Sequence, residues 1–163
     1  MSNLRTLALI AACCFWLPAS TCAAAPDWDR VENVREAAAQ LVQRHRASGS
    51  TGVLKFLDAC YKTHTIASKY TRALEGCLTQ DYIHSRVLVS IYERLPEAAR
   101  ADPKLPKAGD IAHAVNGRFV SIFRQYKVTL ADAEALKAAI EQHGVPIFLK
   151  DRFPAAAVTG KGP

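Results

Sequence analysis

Cys60 and Cys77 are the residues best placed for chemistry, because each carries ligand-type neighbours at helical spacing. His64 follows Cys60 by four positions, and Asp81 and His84 follow Cys77 by four and seven. On an α-helix those intervals return to one face. Two adjacent helices would therefore bring Cys60, His64, Cys77, Asp81 and His84 to one seam. Thiolate, imidazole and carboxylate together suit zinc or copper when the thiols are reduced. Oxidised, the two cysteines instead close a disulfide, and only His64, Asp81 and His84 keep ligand atoms. A third chemistry centres on His84, whose neighbours Gln80, Asp81 and Tyr82 would serve an acid–base site.

Local catalytic signatures do not decide among these readings, because none occurs in the sequence. There is no Gly-x-Ser-x-Gly elbow, phosphate-binding glycine loop, His-Glu-x-x-His or calcium loop, and no Cys-x-x-Cys of a redox or haem site. No residue is assigned a catalytic or cofactor-binding role, no cofactor is expected, and binding without catalysis is the expected activity.

The compartment decides the state of the thiols, and the amino terminus speaks to the compartment. Arg5 precedes an unbroken apolar run, Leu7 to Leu17, and then Pro18 and a stretch of small residues. This is the three-part pattern of a secretory signal peptide, too short to span a bilayer. The expected division is a signal peptide over 1–24, a helical domain over 25–153 and a disordered tail over 154–163. An alternative cleavage before Cys13 would leave a lipid-anchored protein, and an extracellular destination is the other alternative to the periplasm. Of the five cysteines, Cys13, Cys14 and Cys22 fall in the leader, so Cys60 and Cys77 remain to form one disulfide in an oxidising compartment.

Removing Arg5 with the leader lowers the formal net charge from +6 to +5. An exported basic chain is not expected to meet nucleic acid, so the excess points to anionic headgroups, cell-wall polymers or an acidic protein. The expected partner is a protein or envelope component, and no transmembrane segment is expected in the mature chain.

Half of the chain is hydrophobic and 22% charged, a composition that supports one ordinary core. Trp28, Val31, Val34, Ala38, Leu41 and Val42 recur at helical period behind Asp27 and Asp29, predicting a first helix that ends near Arg46. Ala47 to Ser50 breaks it, and Ser50 or Thr51 would cap a second helix ending near His64. A third helix is predicted from Ile66 to Leu95, with a kink at Gly76. Pro96 to Gly109 holds three prolines and reads as a surface connection. Asp110 opens a fourth helix, Thr129 to Asp132 a fifth, and Gly144 with Pro146 would stop it after His143. His45 and His143 would sit as imidazolium in last turns. The predicted architecture is an all-α, single-domain bundle of about five helices, with the second and third stapled by Cys60 and Cys77.

Overall fold

A computed structural model describes residues 26–153. The leader expected at 1–24, the lipid-anchor residue Cys13 and the tail expected at 154–163 lie outside the described residues. Within them the fold is all-α and forms one domain: α1 Arg30–His64, α2 Arg72–Glu93, the isolated turn α3 Glu97–Arg100, α4 Ala108–Gln125, α5 Leu130–Ala139, a π-helical turn Ile140–Gly144, and α6 Val145–Arg152. Among the described residues no helix is long and apolar enough to cross a membrane.

The helix starts follow local chemistry. The Asp29 carboxylate accepts from the Glu32 amide, the Thr71 hydroxyl from Leu74 and the Thr129 hydroxyl from Asp132, each satisfying an amide that the first turn leaves unpaired. Thr129 also donates to the Asp132 carboxylate at 2.7 Å, so the predicted Thr129–Asp132 start is present.

The predicted break after Arg46 is present: α1 holds two helical arms that meet at Gly49, where φ is 62° and ψ −170°. That conformation is essentially reserved for glycine. The third helix begins at Arg72 rather than Ile66, and it passes through Gly76 without interruption. Ile66 instead sits in the turn before α2 and is 84% exposed. Gln125 and Tyr126 hold that turn by donating to the carbonyl of Thr65, at 3.1 and 2.8 Å.

The chain also continues beyond Gly144 and Pro146. Val145 donates to the Ile140 carbonyl, one residue further back than an α-helix would reach. Pro146 follows the π-helical turn directly, and the widened turn accommodates a residue that lacks a donor. Gly144 is needed for close approach: a Cβ there would meet Ile83 Cδ1 at 2.9 Å and Val34 Cγ1 at 3.1 Å.

The core runs through every long element. Val34, Leu41, Leu57, Leu74, Leu78, Ile83, Phe119, Leu136, Ile140 and Phe148 are all buried and form one cluster. Each such side chain contributes about 1.5–3 kcal/mol over its exposed state. Tyr61, Tyr70, Tyr82 and Tyr126 pack on the same cluster, making an aromatic layer at its edge.

Candidate functional site

Cys60 lies in the last turns of α1 and Cys77 in the first turns of α2. Their Sγ atoms are at disulfide distance, with Cα atoms 6.0 Å apart and the two residues 17 positions apart in sequence. The bond ties consecutive helices, as the spacing required. His64 joins them: one ligand atom from each of Cys60, His64 and Cys77 lies within 4.8 Å of the other two. These three residues share the wall of an open groove of about 600 Å³ between α1 and α2 with Gln40, Arg44, Arg72 and Gln80. Gln80 is 2% exposed and donates to Gln40 at 3.3 Å, while its Oε1 has no hydrogen-bond partner.

Asp81 and His84, the other two members of the predicted seam, go elsewhere. Asp81 is buried and receives the Arg118 guanidinium from α4 through both oxygens, Nε at 2.6 Å and Nη2 at 2.8 Å. Tyr61 of α1 donates to it at 2.9 Å and Ser85 at 3.4 Å. Burial, and then the Asp81 carboxylate, raise the Tyr61 hydroxyl well above its ordinary range. The Asp81 hydrogen bond also raises Arg118. Three helices thus meet on one carboxylate whose lone pairs are committed to neighbours. A second buried carboxylate, Glu75, accepts from Trp28 at 2.8 Å, Asn33 at 3.1 Å and Arg30 at 3.3 Å, and so locks the start of α1 to α2.

His84 is 2% exposed, and neither ring nitrogen has a hydrogen-bond partner. Burial, and then the proximity of His45, lower its pKa. His45 is half-buried with its ring edge-on to Phe148 at 5.5 Å. Burial and then Arg152 lower its pKa too, the reverse of the stabilised imidazolium expected at a helix end.

A different surface feature was not legible as a site. The second half of α2 and α6 flank a groove of about 780 Å³, lined by Val87, Ile91, Leu95, Pro146, Leu149 and Phe153, with Arg94 and Lys150 beside them. Ile91 is 43% and Leu149 37% exposed. The apolar density of Val87 to Ile91, and the apolar Ile147 to Leu149 expected to fold back on the bundle, were the available signals, but neither segment shows by itself that it faces the other. Arg118 was missed for a related reason. A buried aspartate implies a cationic partner, but a separation of 37 residues gives no local hint of which one.

None of the protein families, curated proteins or solved structures compared with the chain matches it.

Proposed function

We propose that the chain is an exported, non-catalytic binding protein that docks an acidic amphipathic segment of an envelope protein in the groove between α2 and α6. The carrying observation is that groove: an apolar floor with half-exposed Ile91 and Leu149, flanked by the cations Arg94 and Lys150. An apolar stripe on a visiting helix would cover the floor, and acidic residues beside the stripe would meet the cations. Export is supported by the apolar run Leu7 to Leu17 followed by small residues. A disulfide-bonded pair, Cys60 and Cys77, fits an oxidising compartment.

The test uses a synthetic helical peptide with leucines at i, i+3, i+4 and i+7 and glutamates beside them. Fluorescence anisotropy should show binding that weakens with salt. Leu149→Asp should weaken it by at least about ten-fold, since a buried Leu contact contributes on the order of 1.5–3 kcal/mol, with the melting temperature preserved because Leu149 is partly exposed. Equal binding by Leu149→Asp, or by a peptide whose glutamates are replaced by lysine, would refute the docking mode. Export is checked separately by the intact mass of protein recovered from the cell envelope, expected to begin near Ala24 with Cys60 and Cys77 bridged.

A further inference from the structure

We infer that the Cys60–Cys77 hairpin, once reduced, is a binding site for a thiophilic divalent ion of the zinc class, held by Cys60 Sγ, Cys77 Sγ and a ring nitrogen of His64. This inference does not depend on the groove between α2 and α6. The three ligand atoms already lie within 4.8 Å of one another. A tetrahedral zinc with bonds of about 2.3 Å to sulfur and 2.0–2.1 Å to nitrogen sets its ligands about 3.5–3.8 Å apart. Opening the S–S bond to that separation needs side-chain rotation, while the two helices stay where the rest of their interface holds them.

Two further features of the same groove fit this use. The groove is open to solvent and gives the ion a way in. Gln80, one turn beyond Cys77, reaches the groove with a buried Oε1 that no protein group satisfies. A fourth ligand, water or a side chain of this polar groove, would complete the tetrahedral set.

The chemistry balances in two stages. A dithiol reductant passes two electrons and two protons to the disulfide, giving two cysteine thiols while the dithiol closes to its own disulfide. The ion then displaces both thiol protons, so two thiolates neutralise its two charges and neutral His64 completes the set. The ion replaces the covalent tie between α1 and α2 with a coordinative one.

The experiment reduces the purified protein with a dithiol, removes the reagent by gel filtration in oxygen-free buffer, and titrates zinc(II) alone against a chromophoric chelator. Circular dichroism monitors helicity throughout. The expected result is one zinc per reduced chain and none per oxidised chain. His64→Ala should bind about 100-fold more weakly, since even an outer-shell partner is worth about 10–100-fold. His113→Ala, an exposed histidine outside the cluster, should match the wild type. If reduction lowers the helicity, one equivalent of zinc should restore it, and a chain that stays unfolded with zinc overturns the site. So does a reduced, folded chain that takes up no stoichiometric zinc, or a His64→Ala variant that titrates like the wild type.

Discussion

His84 carries an unusual burden for a single side chain. Its imidazole is sealed in the core with both nitrogens unpartnered, and the nearby His45 shares the preference for the neutral form. Unfolded histidines titrate near about 6.5, and both folded values are lowered. Above that pH neither state is protonated and stability is complete. Below it the unfolded chain binds protons first, so stability falls with pH by up to about 1.4 kcal/mol per unit for buried His84 and by less for the more exposed His45. Thermal melts from pH 7 to pH 5 should show this decline. His84→Leu should leave the melting temperature at pH 7 nearly unchanged and make the decline shallower; an unaltered slope would remove His84 from the account. From sequence, His84 was read in the polar company of Gln80, Asp81 and Tyr82. Spacing along one helix cannot show that Arg118 and Tyr61 claim Asp81, or that α1 covers the imidazole.

Among the elements, α1 shows how little sequence a bend requires. Its two arms diverge at Gly49, and nothing lies within 4 Å of where a Cβ would stand, so any cost of a side chain there is purely conformational. Gly49→Ala should destabilise the protein by about 1–3 kcal/mol. Gly117→Ala, in the middle of α4 with equally open space, should stabilise it by about 0.5–1 kcal/mol. Chemical denaturation of the pair separates backbone conformation from packing, and equal effects of the two changes would contradict the bend. Helical periodicity revealed the arms of α1, the bodies of α2 and α4 and the start of α5, but α4 begins at Ala108, with Asp110 inside its first turn rather than at its cap. Periodicity failed where a compensating contact lies elsewhere in the chain. Ile66 looked like the first member of an apolar stripe, but hydrogen bonds from Gln125 and Tyr126 hold its segment as an exposed turn. Gly144 and Pro146 looked like a stop, but Val34 and Ile83 use the bare glycine for close packing.

At the scale of the whole molecule, one bond and two buried carboxylates orient the helices around the shared core. The disulfide fixes α1 to α2 at one end, Glu75 gathers Trp28, Arg30 and Asn33, and Asp81 joins α1, α2 and α4. Cross-linking across this span contributes about 3 kcal/mol, chiefly by restricting the unfolded chain. Replacing both cysteines by serine should therefore lower the melting temperature by roughly 10 °C while leaving the native helicity intact. Unchanged melting would mean that the hairpin is held by its packing alone. The pairing was legible because Cys60 and Cys77 are the two cysteines outside the leader expected at 1–24; the carboxylate partners outside α2 were not, because they lie between 20 and 47 residues away.

The π turn at Ile140–Gly144 gives this chain a tolerance to changes in length. It contains one residue more than the helical path requires, stored between α5 and α6. Loss of exposed Gln142 would return the path to α-helical register, with Leu136 behind it and Phe148 ahead still facing the core, at the expense of the carbonyl that Pro146 would then crowd. A deletion in the middle of α2 or α4 has no such slack to draw on and would turn every later side chain of that helix by about 100°. Natural variation by single-residue insertion and deletion thus has a ready-made place inside a helix, where it is ordinarily confined to loops.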